Sequence, residues 1–205
     1  AAAALRDGGG GGHVAPTRRR IRRTARRVAS SANLLWRFSR PHTLIGTIVS
    51  VVSIHALAAP SYAAMATPAF LACALTALIP AMWVNVFITG LNQVTDRDID
   101  RVNKPHLPVA SGELSPRDAL WVCAASLVAA ALCAMPVATA PLVAVLAGST
   151  AIGYAYSAPP FRLKRWPVAA ALCIVSIRGA LVNAAFYAHA AKAAFPLGVG
   201  GAAAS

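Results

Sequence analysis

Apolar positions in this chain come in long unbroken runs rather than in alternating or striped patterns. From Pro41 to Thr95 there is no Lys, Arg, Asp or Glu. A helix crosses a bilayer with about 20 apolar residues, so this run is too long for one span. Pro60-Ser61 divides it. The pattern predicts a first span near Thr43–Ala59 and a second near Ala64–Gln93, tilted or kinked by Pro68 and Pro80. A polar loop from Arg97 to Asp118 follows, broken by Pro105, Pro108, Gly112 and Pro116. Ser115-Pro116 reads as a helix N-cap and first helical residue. A third span is predicted near Ala119–Met135 and a fourth near Leu142–Tyr156, with a charge-free turn between them. A second basic loop, Ser157 to Pro167, leads to a fifth span near Val168–Ala190.

Loop charge tests these spans. Alternation puts the N-terminal arm, the loop at 97–118 and the loop at 157–167 on one side, and they carry every Lys and Arg except Arg178 and Lys192. The loops on the other side carry no charge. This is the positive-inside asymmetry, and a missed or invented span would have split the basic loops between the two faces. The expected fold class is an all-α integral membrane protein of about five transmembrane helices, with the lipid bilayer as its first partner.

Composition agrees: 58% of the 205 residues are hydrophobic and 12% charged, where soluble domains carry about 25% charged residues. The net charge of +13 raises nucleic-acid binding as a rival, but basic residues that flank apolar spans are not a soluble reading surface, and no nucleic acid is expected. Ten of the 19 basic residues precede Pro41. Residues 1–33 therefore read as a transit-peptide-like or disordered basic segment, the alternative being a retained arm on anionic lipid. Residues 193–205 read as a tail of small residues. Cys73, Cys123, Cys133 and Cys173 lie inside apolar runs without CxxC spacing, which reads as packing and not as a disulfide or zinc framework. His55 and His189 have no partner nearby in sequence and read as hydrogen-bonded packing residues.

Three of the six acidic residues lie between Asp96 and Asp100. Asn92, Asp96 and Asp100 are spaced i, i+4, i+8, which lines them on one helical face and leaves Asp98 off it. Two carboxylates and an amide oxygen make a hard oxygen site, suited to magnesium with substrate phosphates. The plainer reading is a solvated helix end offset by Arg97 and Arg101. Against it, carboxylates at a helix C-terminus oppose the macrodipole, and Asn85, Asn92 and Gln93 add polar groups near membrane depth. Lys104, Arg162, Lys164 and Arg165 belong to loops of the same face, where cations would stabilise a diphosphate leaving group. Arg178 lies mid-span, a position for substrate contact or for a structural ion pair; Asn183 falls on another face of that helix.

These residues resemble the UbiA superfamily of intramembrane prenyltransferases. Asn92-Gln93-x-x-Asp96-x-x-x-Asp100 is similar to its first Asp-rich motif. Val102-Asn103-Lys104-Pro105, Ala110-Ser111-Gly112-Glu113, Phe38-Ser39-Arg40-Pro41-His42-Thr43, Ala155-Tyr156-Ser157, Arg162-x-Lys164-Arg165 and Ala185-Phe186-Tyr187 with His189 resemble the homogentisate prenyltransferases of plastids. The resemblance covers about residues 34–192 and implies a partial UbiA-type helical bundle. It implies catalytic and metal roles for Asn92, Asp96 and Asp100 with Mg2+, and substrate binding by Arg162 and Lys164; Lys104 and Arg178 join the substrate-binding candidates by their placement in the chain. The implied reaction is transfer of a prenyl group, phytyl by the balance of motifs, from prenyl diphosphate to homogentisate in a plastid membrane. Solanesyl transfer is the alternative. Non-catalytic scaffolds and transporters are the rivals of another class. No acid follows Asp118, whereas the family has a second Asp-rich motif, so the chain is expected to be a fragment or a half-protein needing a partner, without turnover alone.

Overall fold

Proline opens most of the described helices. It stands at the first or second position of six of them, where its missing N–H removes no intrahelical bond. The structure, a computed structural model, describes residues 30–193. The readings of the N-terminal segment up to residue 29 and of the tail from 194 lie outside the described residues. The chain divides into two units, 1–33 and 34–205.

The described elements are all helical. A helix over 30–38 (α1) is followed by α2 (Pro41–Ala58), the single turn α3 (Tyr62–Met65) and α4 (Pro68–Thr95). Next come the short helices α5 (Arg97–Asn103) and α6 (Pro108–Ser111), then α7 (Pro116–Ala134) and a 3-10 turn at Met135–Val137. α8 (Ala140–Ser157) leads through a second 3-10 turn, Leu163–Arg165, to α9 (Pro167–Ile174). A π-helical stretch, Val175–Leu181, joins α9 to α10 (Val182–Ala193). Five segments are long and apolar enough to cross a membrane: α2, α4, α7 with its 3-10 turn, α8, and the composite Pro167–Ala193.

The five predicted spans are all present, and the structure corrects their ends. The second span starts at Pro68 and not at Ala64, because Thr67 caps it by accepting from the Phe70 N–H at 3.2 Å. Pro68 is thus an opening residue, while Pro80 is buried inside an uninterrupted helix. Ser115 is the N-cap of α7, as its spacing predicts, accepting from the Asp118 N–H at 3.1 Å. The polar loop after Arg97 proves partly helical, because α5 continues the register of α4.

α4 is the central helix, packed against α7, α2 and α8, with α10 closing against α8 and α2. Gly90 sets the α4–α7 approach: a Cβ there would stand 2.5 Å from Phe38 Cζ and 2.8 Å from Cys123 Sγ. Small residues at such crossings let helices meet closely where lipid removes the hydrophobic driving force. Two apolar clusters result. Phe38, Phe87, Leu91, Val109, Ala119, Cys123 and Ala158 pack towards the basic end. Val51, Ile54, Ala77, Ala81, Ala134, Leu142, Val145, Ala185 and Phe186 pack towards the other.

Candidate functional site

Backbone register builds this site. α4 ends at Thr95 and α5 begins at Arg97, but hydrogen bonds of the i to i−4 type run through the join: Asp96 N–H to Asn92 O at 2.9 Å, Asp100 N–H to Asp96 O at 2.7 Å and Lys104 N–H to Asp100 O at 2.7 Å. The four-residue spacing therefore keeps its meaning across the helix break. Asn92 Nδ2 donates to Asp96 Oδ2 at 3.1 Å and reaches Ser157 Oγ at 3.5 Å, leaving the amide oxygen without a donor of its own. Asp98 is off this face, 88% exposed, and pairs with Arg101 at 3.4 Å.

The basic loop closes over the acids. Lys164 Nζ stands 2.7 Å from Asp96 Oδ1 and donates to Thr95 Oγ1 at 2.9 Å. Arg162 Nη2 stands 3.5 Å from Asp96 Oδ1 and 3.5 Å from the Thr95 carbonyl. Lys104 Nζ lies 3.5 Å from Asp100 Oδ1. Arg162 is held at φ 39° and ψ 52°, the left-handed region that a non-glycine residue occupies at a cost of about 1–3 kcal/mol. The structure thus brings Asn92, Asp96, Asp100, Lys104, Arg162 and Lys164 together. It does not bring Arg165, which lies over the Trp166 ring at 5.3 Å, or Arg178, which lines a cavity instead.

The donor set fits a hard divalent ion. Asp100 is 3% exposed, and its Oδ2 is buried without a hydrogen-bond partner. Asp96 Oδ1 is likewise buried without hydrogen-bonding geometry, although Lys164 and Arg162 pair with it in charge. A buried carboxylate oxygen left so is costly unless a cation completes it. Two such oxygens four residues apart, with the Asn92 amide oxygen, are a magnesium-type ligand set.

A cavity of about 580 Å³ lies between α2, α4, α8 and the composite fifth span. Its lining reaches Ile88 and Thr89, one turn before Asn92, and Tyr156, next to Ser157. The walls are mainly apolar, Val84, Ile88, Leu146, Ile177, Val182 and Phe186 among them. Asn85 enters the wall with its amide satisfied: Thr43 Oγ1 donates to its Oδ1 at 2.9 Å and its Nδ2 donates to Thr47 Oγ1 at 3.0 Å. Arg178 enters from the π-helical stretch, and such stretches recur at functional sites.

Sequence reasoning did not find Ser157, Thr95 or the fold-back that pins the loop. Arg37 grips Glu113 with two donated hydrogen bonds of 2.8 Å each and donates to the His106 carbonyl at 2.6 Å. The hydrogen bonds from Arg37 and Ser111 hold the Glu113 carboxyl below its ordinary value. No local spacing signals a pair so far apart in the chain.

The model of the UbiA prenyltransferase family matches residues 42–204. The probable homogentisate phytyltransferase 1, chloroplastic, of Oryza sativa subsp. japonica is 42% identical over 164 residues, covering 79% of this chain and 40% of that protein. The homogentisate phytyltransferase of Synechocystis sp. is 43% identical over 150 residues, 72% of this chain and 48% of that protein. The homogentisate solanesyltransferase, chloroplastic, of Arabidopsis thaliana is 37% identical over 172 residues, 83% of this chain and 44% of that protein. The chain thus spans less than half the length of these relatives. A solved structure of a UbiA homolog from Archaeoglobus fulgidus bound to GPP and Mg2+ matches with a TM-score of 0.55 and 26% identity, covering 78% of this chain and 60% of that one.

Proposed function

The chain belongs to the UbiA prenyltransferase family, and from that premise we propose that it carries the magnesium–diphosphate site of an enzyme moving a prenyl group from prenyl diphosphate to homogentisate. The observation that carries the reading is the buried, unpartnered Asp100 Oδ2 four residues from Asp96, whose Oδ1 has ion pairs but no hydrogen bond, beside three cationic side chains and an apolar cavity. The relatives' names and the GPP and Mg2+ of the archaeal homolog support it.

Asp96 and Asp100, assisted by Asn92, would hold magnesium, which supplies charge neutralisation at the diphosphate when bound. Lys164, Arg162 and Lys104 donate to the diphosphate oxygens as the allylic carbon–oxygen bond breaks, and the leaving charge falls on them. Lys164 must then exchange Asp96 for a phosphate oxygen, which its flexible stem and single point charge permit. The cavity takes the prenyl chain, and its apolar walls keep water from the allylic cation. A volume near 580 Å³ is within the range of about 300–1,000 Å³ typical of ligand pockets. A ring carbon of homogentisate attacks the cation and gives up its proton, while the acetate side chain loses its carboxylate as carbon dioxide and takes up a proton to become a methyl group. Arg178, charged and facing the cavity, contacts an anionic group of one substrate.

In our reading the prenyl group is phytyl, the site works in a plastid membrane, and the product enters tocopherol synthesis. Phytyltransferase relatives reach 42–43% identity against 37% for the solanesyltransferase. The test is transfer of labelled phytyl, geranylgeranyl and solanesyl groups to homogentisate by the full protein in liposomes with and without magnesium. Phytyl transfer that needs magnesium and vanishes in the Asp96→Ala, Asp100→Ala variant is expected. Retained transfer in that variant sinks the assignment, and a preference for solanesyl diphosphate moves it to the plastoquinone branch.

A further inference from the structure

The end of the bundle away from Asp96 holds a second cluster of polar side chains. His55 is near the end of α2, Cys73 is in the first turns of α4, and His189 is near the end of α10. Three different spans thus deliver one group each. All three residues are buried, both histidines are 0% exposed, and a ligand-capable atom of each lies within 4.8 Å of those of the other two. Among the described residues no other His, Cys, Asp and Glu trio forms such a group. The Cys73 thiol is free.

Hydrogen bonding decides which ring nitrogens are left over. His55 Nδ1 lies 2.8 Å from the Val51 carbonyl oxygen, which only accepts, so Nδ1 carries the proton and Nε2 a lone pair. His189 Nδ1 lies 2.7 Å from Thr139 Oγ1. Thr139 Oγ1 also accepts from the Leu142 N–H at 3.3 Å, and Nε2 of this ring bears a lone pair in the tautomer whose Nδ1 donates to Thr139. Both Nε2 atoms are buried without a hydrogen-bond partner. The carbonyl of Cys73, which accepts from the Thr76 hydroxyl at 2.8 Å, also faces His189 and keeps a second lone pair on that side. His55, fixed through Nδ1 and open at Nε2, is in the state that metal-bound histidines show, and His189 matches it in the tautomer protonated at Nδ1.

We infer that His55 Nε2, Cys73 Sγ and His189 Nε2 bind a borderline-soft divalent transition metal, with zinc the best match. Two imidazoles and a thiol select such an ion, whereas magnesium seeks the oxygen set at Asp96 and Asp100. On binding, the thiol proton leaves to solvent and the thiolate completes the metal–sulfur bond. Tetrahedral zinc with bonds of 2.0–2.3 Å holds its ligands roughly 3.3–3.6 Å apart, so the side chains draw in by about 1 Å. The fourth position remains for a solvent ligand. The ion would tie α2, α4 and α10 at one point. Val51 and Phe186 line the cavity, and the Phe186 ring lies 6.2 Å from the His55 ring, so the tie also closes the cavity's far end.

The test uses the full protein in detergent, stripped with chelator, reloaded with zinc and desalted before metal analysis. About one tightly held zinc per chain is expected, retained in the Asp96→Asn, Asp100→Asn variant and lost from His55→Ala, His189→Ala. Cobalt loading adds a readout that does not depend on the double variant folding: a thiolate-to-cobalt charge-transfer band, present in the parent and gone in the near-isosteric Cys73→Ser. A parent that retains no zinc above the Cys73→Ser background, or a cobalt spectrum unchanged by Cys73→Ser, overturns the site and leaves the two histidines to a water or a shared proton.

Discussion

The two ends of α4 handle buried polar groups in opposite ways. At the C-terminal end, Asp96 and Asp100 are charged and meet Lys164, Arg162 and Lys104 from neighbouring segments. At the N-terminal end, Cys73 stands with His55 and His189. The basic loops explain the difference: the charged end is on the face that holds every described cation apart from Arg178 and Lys192. Carboxylates can be buried there because counter-charges stand within about 4 Å, where a protein interior makes each pair strong. No counter-charge is at hand at the other end, so its polar groups are ones that can remain neutral. The comparison teaches that the two ends of one helix can join different polar groups, carboxylates with cations at one end and a thiol with imidazoles from α2 and α10 at the other, according to the charge of the loops nearby.

The sharpest way to break that comparison is to remove the charged end's ligands. In the full protein, Asp96→Ala, Asp100→Ala should lower prenyl transfer by about 10²-fold or more, the equivalent of several kcal/mol of charge stabilisation. Labelled-product assays check this, and Asp98→Ala, off the ligand face, should change it little. Next in size, Lys164→Ala should raise KM for prenyl diphosphate by about tenfold to a hundredfold, as loss of a charge-assisted bond worth roughly 1.5–3 kcal/mol implies. Inhibition by inorganic pyrophosphate should weaken in parallel; an unchanged pyrophosphate affinity would mean that Lys164 serves only Asp96.

Between the ends, Gly90→Ala should destabilise the bundle by about 1–3 kcal/mol, because its Cβ meets Phe38 and Cys123 in a packed crossing. Thermal unfolding in detergent checks it, and Gly46→Ala, which meets nothing within 4 Å, is the control. The smallest effect is the pH response of the Arg37–Glu113 pair on the charged face. The Glu113 value is lowered on folding, so its stabilising share is present above the ordinary carboxylate value and is lost as pH falls through the lowered one. Arg37, raised by the same pair, stays charged throughout that window. Protease sensitivity near Glu113 should therefore rise only in acid below the ordinary carboxylate range, and Glu113→Gln should remove that pH step.

Much of this was legible without coordinates. The five spans followed from apolar run length and from loop charge, both properties of neighbouring residues. Asn92, Asp96 and Asp100 were legible because a four-residue spacing has one meaning on a helix, and the backbone keeps that register past Thr95. The start of α7 at Ser115-Pro116 was legible for the same local reason. The start of α4 was not, because two capping residues, Ser61 and Thr67, compete in one apolar stretch and each takes a helix of its own.

By itself, then, the sequence determined the membrane class, the side on which charge gathers and the face of the acidic motif. Only tertiary structure decided which cations reach those acids, that Arg165 turns to Trp166, that Arg178 enters a cavity, and that His55, Cys73 and His189 meet. The physical reason is range. Hydropathy and helical register act over a few residues, whereas these contacts arise where α2, α4, α8 and α10 cross, and the depth at which packed helices cross is set by small residues such as Gly90 and Gly153, not by the spacing of the groups they bring together.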